Sequence, residues 1–142
     1  MKKVKFIALT CLLFAALSSK AQTNSMKDIE TTIHAFAKAG DNSDAETLRT
    51  YLDDNYRVVM NRLFGSKEVS VLSKELYLSK IESKEFGGDT REVSIHSVTI
   101  NGSTANAKVS FKGSKMTFVS LLSLVQDAQG NWKLISDTPV LE

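Results

Sequence analysis

The chain has 142 residues, one cysteine, two histidines, 42% hydrophobic residues and a formal charge of +2. That length is about one domain and buries a sufficient core, so neither disulfides nor metal are needed for folding. A single cysteine excludes an internal disulfide and any multi-cysteine zinc or iron–sulfur site.

The first 21 residues read as a leader. Lys2, Lys3 and Lys5 precede the apolar run Phe6–Leu17, and Ser19-Lys20-Ala21 offers small residues for cleavage before Gln22. Residues 1–21 are therefore expected to be a cleaved signal peptide, with residues 22–142 as one domain exported to the periplasm or beyond. Cys11 has too few apolar residues before it for a lipid anchor and leaves with the leader. The remaining 121 residues hold 14 basic and 16 acidic side chains, a net charge of −2. With no basic run and no second apolar segment near ~20 residues, neither nucleic-acid binding nor a membrane span is expected.

Helices are predicted first. Met26, Ile29, Ile33, Phe36 and Ala37 fall at helical spacing over residues 26–39, with Gly40 as the stop. Ser43 and Glu46 have capping-box spacing for a second helix carrying Leu48, Tyr51 and Leu52, which Asp53-Asp54-Asn55 interrupts. Residues 56–60 are β-rich. Ser73 reads as the N-cap of a third helix carrying Leu76, Tyr77, Leu78 and Ile81, closed by Gly87-Gly88.

Four strands follow, at about residues 91–100, 104–112, 115–127 and 131–140. Asn101-Gly102, Lys112-Gly113 and Gln129-Gly130 make the turns of antiparallel hairpins. In the third of these strands Phe118, Leu122 and Leu124 share one face, and Val119, Leu121 and Val125 the other. A strand apolar on both faces has to be covered on both. A second copy of the chain against the outer sheet face is the preferred cover, giving a homodimer, with coverage by a helix or loop of the same chain as the alternative.

The order helix, short helix, strand, helix and four long strands resembles the nuclear transport factor 2-like superfamily. Asp53-Asp54-Asn55-Tyr56-Arg57-Val58-Val59 and Gly130-Asn131-Trp132-Lys133-Leu134-Ile135-Ser136-Asp137 carry the likeness locally. The chain looks most like the exported bacterial members grouped with polyketide-cyclase-like and putative lumazine-binding proteins. The resemblance implies an α+β cone, a strongly bent antiparallel sheet forming an open barrel around about three N-terminal helices. It also implies an apolar pocket at the open end.

Ketosteroid isomerase relatives carry an aspartate base near the end of the first strand, where this sequence has about Asn61. An amide does not take a proton as a carboxylate does. His34 lies on the polar face of the first helix. His96 alternates with Val98 and Ile100, as a half-buried histidine bonded to a neighbour would. No metal-ligand spacing, nucleophile elbow or phosphate loop occurs, so neither cofactor nor metal is expected.

The pocket candidates are Tyr56, Met60, Asn61, Arg62 and Tyr77, with Arg62 favouring an anionic ligand. The alternation of the first strand leaves open which of its faces points inward. Trp132 reads as core, and Asp137 either as a pocket acid or as a cap on a Thr138-Pro139 turn. The first expectation is a non-catalytic domain holding a small, partly apolar or anionic ligand. A proton-transfer enzyme (isomerase, cyclase or dehydratase) comes second, and an interaction module acting through its outer sheet face third.

Overall fold

The computed structural model describes residues 2–142, with side chains from Gln22 onward. The expected leader thus lies outside the described side chains. Helix α1 is continuous over Lys2–Asp41. It is followed by α2 (Ala45–Tyr51), β1 (Leu52–Asn61), a 3-10 turn (Leu63–Gly65), β2 (Val69–Ser73), α3 (Lys74–Glu82), β3 (Glu92–Asn101), β4 (Thr104–Lys112), β5 (Thr117–Gln126) and β6 (Trp132–Leu141). Among the described residues no helix is long and apolar enough to cross a membrane.

The six strands form one sheet in the order β2-β1-β6-β5-β4-β3. The α+β cone stands, with one change: the sheet is mixed, because β1 runs parallel to β6 while all other pairs are antiparallel. The parallel pair follows from the path of the chain, which leaves β1 through β2 and α3 and returns to its edge only at the end. Strand β2 was not expected. Val69 and Val71 point to solvent and only Leu72 is buried, so the segment lacks the amphipathic contrast that marks a half-buried strand.

Core packing follows the helical spacing of α1. Ile29, Ile33, Phe36 and Ala37 are buried against the concave sheet face, alongside Ala107, Val109 and Phe111 of β4 and Leu122 and Leu124 of β5. Phe36 meets Phe111 edge-on, with ring centroids 6.2 Å apart. Capping of α2 differs from the expectation. Asp44, not Ser43, accepts the Thr47 backbone N–H at 2.9 Å, and Ser43 sits in the left-handed region at φ 53. Ser73 caps α3 as read, accepting from the Leu76 N–H. Lys74 is buried beside it and donates to Leu52 O and Asp54, pinning α3 to the start of β1.

Three bulges bend the sheet, and each resets the alternation of a strand. They lie in β1 between Leu52 and Arg57, in β3 between Ile95 and Ser97, and in the β5–β6 pairing beside Ser123 and Leu124. His96 is the unpaired residue of the β3 bulge. It is therefore exposed rather than half-buried, with Nε2 2.7 Å from Ser110 Oγ. His34 is exposed on α1. The Thr138-Pro139 turn does not occur, since both residues lie inside β6.

A candidate ligand cavity

The inner sheet face and the helices enclose a cavity of about 710 Å³. Bulge-corrected alternation settles the face of β1: Tyr56 and Val58 are buried and Met60 packs against the core, while Arg57 and Asn61 are exposed. Val58 and Met60 form one wall, and Tyr77 and Ile81 of α3 another. Phe111 of β4, Phe118 and Ser120 of β5, and Asp137 of β6 complete the lining. At the mouth, Phe64 of the 3-10 turn faces Phe118 edge-on at 6.2 Å.

The loop after α3 closes the helix side. Gly88 donates its N–H to Gly40 O at the end of α1. Gly87 approaches the same carbonyl so closely, at φ +79, that any Cβ there would collide with it. The mouth is tied by Asp89, which accepts the Ser114 N–H at 2.7 Å across the cavity. That bond holds the Asp89 carboxyl below its ordinary value.

The lining also includes the exposed Lys115; Arg91, just before β3, is the partly buried cation of the cavity. Its Nε donates to Asp41 Oδ1 at 2.5 Å, its backbone N–H to Asp41 Oδ2, and its Nη2 to Ala37 O. It thereby caps the α1 C-terminus, where carbonyls lack helical partners and the helix dipole favours a positive charge. Its guanidinium also lies 5.0 Å from the centre of the Phe111 ring.

With Glu85 and Asp89 also in the lining, Asp137 is the anion on the inner sheet face. It pairs in register with Val58 and Leu122, both buried, so its side chain is carried on the inner face. Its Oδ1 is buried without a hydrogen-bond partner. Burial pushes the carboxyl up to about 6, although the Ser120 hydroxyl and the Arg91 charge both pull it down.

Tyr77 lines this end of the cavity and Tyr56 packs behind it. Tyr56 and Tyr77 pack with ring centroids 5.4 Å apart, and the Tyr56 hydroxyl is buried without a partner. Burial first, and then charged or ionisable neighbours including Asp137, holds both phenols well above their ordinary value. They are neutral hydrogen-bonding groups at any physiological pH.

Of the residues singled out in the sequence, Met60 and Tyr77 line the cavity and Tyr56 lies behind Tyr77. Asn61 and Arg62 lie outside the lining and are exposed; Arg62 adopts φ 56 and donates its N–H to Glu68 O. Trp132 is core, 4% exposed. Arg91 was missed, though Arg91, Val93 and Ile95 alternate onto one face and so point it inward. Among the described residues, no cluster of side chains is arranged to hold a metal ion.

A family model described as "Putative lumazine-binding" matches residues 24–138. No curated protein matches the chain. Among solved structures, an NTF2-like protein of unknown function from Silicibacter pomeroyi superposes with a TM-score of 0.74 at 16% identity, covering 85% of this chain and 98% of its own. A protein from Novosphingobium aromaticivorans described as a putative scytalone dehydratase gives 0.69 at 16% identity, covering 87% and 88%. A ketosteroid isomerase-like protein from Erwinia carotovora atroseptica gives 0.64 at 15%, covering 80% and 92%. At these identities the likeness to solved structures concerns the fold.

Proposed function

Because the chain belongs to the family described as putative lumazine-binding, within the NTF2-like superfamily, we propose that it is an exported domain that binds a small, flat, mostly apolar molecule. The observation that carries this reading is the cavity itself: about 710 Å³, walled largely by aromatic and aliphatic side chains, with Arg91, Ser120 and Asp137 as polar groups inside and Glu85, Asp89 and Lys115 also in the lining. Cavities of this size and makeup enclose most of a small ligand's surface, while a few placed polar groups orient it. Export rests on the basic and apolar leader of residues 1–21.

Protein purified from the exported fraction, with its N-terminus at Gln22, is expected to retain a small molecule detectable by native mass spectrometry. Lumazine, the compound in the family's description, is the first ligand to titrate, with its own fluorescence as the signal. Met60→Trp fills the cavity from β1 and should weaken binding at least about tenfold. Empty protein from every growth condition, together with no binding of flat heteroaromatic compounds at millimolar concentration, contradicts the reading.

The outer sheet face supports a homodimer as the working assembly. Val69, Val71, Leu121 and Val140 are each between 58% and 60% exposed there, and Val59 and Val119 lie among them in register. A patch of this kind on one sheet face is what a partner covers. Leu121→Lys should convert a dimer into a monomer in light scattering at micromolar concentration. A wild-type chain already monomeric there refutes the dimer.

A further inference from the structure

The charges of the cavity do not balance. Arg91 is matched by Asp41, and Glu85 at the rim is matched by Lys80 at 2.6 Å. Asp89 accepts the Ser114 N–H at the mouth and has Lys115 as a favourable neighbour. Asp137 is different: among the described residues it forms no ion pair, and its Oδ1 has no hydrogen-bond partner. The half-buried carboxylate of Asp137, part of the cavity lining, is thus left without a cation, in a cavity whose other interior charge is already satisfied.

A carboxylate without a cation in a largely apolar cavity selects for a donor, and most strongly for a cation. The walls point the same way. Tyr77, Phe86, Phe111 and Phe118 all line the cavity, and aromatic faces attract cations. Two of these rings already carry one, Lys80 over Phe86 at 5.3 Å and Arg91 over Phe111. Tyr77 and Phe118 are left to the ligand.

Resting on the small-ligand reading above, we propose that the ligand is a small aromatic or alicyclic amine, whose protonated nitrogen pairs with Asp137 while its apolar body lies among Tyr77, Met60 and Phe118. This replaces the anionic ligand that Arg62 suggested, since Arg62 lies outside the cavity and the arginine inside it is neutralised. The groups facing Asp137 are Tyr56 of β1, Tyr77 of α3, Arg91 before β3 and Ser120 of β5. The two phenols stay neutral while Asp137 changes charge near neutral pH.

Isothermal titration of the purified protein with phenethylamine, phenethyl alcohol and hydrocinnamate, at about pH 8, tests this. These probes share a ring and chain and differ in the charge of the head. The amine is expected to bind at least about tenfold more tightly than the alcohol, with the acid weakest. Asp137→Asn should bring the amine down to the alcohol. In the wild-type protein, lowering the pH to about 5 should cost the amine about tenfold and leave the alcohol unchanged, because Asp137 takes up a proton near 6.

An amine that binds no better than the alcohol, or whose preference survives both Asp137→Asn and the lower pH, overturns the proposal. Failure of all three probes also overturns it, whereas lumazine binding in that case would leave the broader cavity reading standing.

Discussion

Asp137→Asn is expected to stabilise the protein at pH 7, by up to about 3 kcal/mol, although it removes the group on which ligand selection depends. Burial raises the native carboxyl from an ordinary 3.8 to about 6, and each unit corresponds to about 1.4 kcal/mol. For an acid whose pKa is raised on folding, the native state binds the proton more tightly than the unfolded chain. Its contribution is therefore most favourable below about 4, is lost as the pH rises to about 6, and stays constant above.

Asparagine carries no charge to desolvate and removes that slope. Asp44, Asp89 and Asp127 are shifted the opposite way by hydrogen bonds that favour their ionised forms, so their contributions are lost on acidification. The difference between wild type and variant isolates Asp137. Urea denaturation at several pH values between about 4 and 7 measures it, with the two proteins converging towards the acid end. A variant equal to or weaker than wild type at pH 7 would mean that the carboxylate is solvated or paired. A residue that costs stability where it stands is the pattern expected of a binding group rather than a packing group.

The second large effect concerns the pair that neutralises the cavity's arginine. Asp41→Asn should destabilise the fold by about 3 kcal/mol. Both Asp41 oxygens are used, one by the Arg91 guanidinium and one by its backbone N–H. The side chains are 11% and 21% exposed, so little water can replace the lost acceptor. The pair joins the end of α1 to the start of β3, and Arg91 keeps only Ala37 O if Asp41 is lost.

The same substitution leaves an unmatched cation facing Asp137, so the amine preference of the cavity should shrink while hydrocinnamate binding improves. Chemical denaturation and the three-probe titration read the two consequences separately. Unchanged stability would show that Arg91 reaches solvent through the cavity and does not need its partner.

Local rules made most of the architecture legible. The 3.6-residue spacing of Ile29, Ile33 and Phe36 placed α1 on the core, Ser73 capped α3, and three glycine turns set the β3–β6 hairpins. What local rules could not reach was the phase of strands that bulge. Strict alternation from Trp132 and Leu134 places Ser136 inward and Asp137 outward. The extra residue at Ile135 reverses this and delivers the carboxylate to the cavity. The same defect in β3 turned His96 out to solvent.

The parallel pairing of β1 with β6 joins segments about eighty residues apart in sequence, and no local pattern encodes that contact. Asn61 and Arg62 were drawn to the pocket by position along β1. Asn61 falls on the outward side of that strand, and Arg62 begins the left-handed turn beyond it.

Titration of the Asp137 side-chain carboxyl by carbon-13 NMR, without and with phenethylamine, tests the central claim most directly. A midpoint near 6 in the free protein, moving to lower pH as the amine binds, is the predicted result. A midpoint near the ordinary aspartate value of 3.8, unmoved by the amine, would contradict both the buried acceptor and the ligand assigned to it.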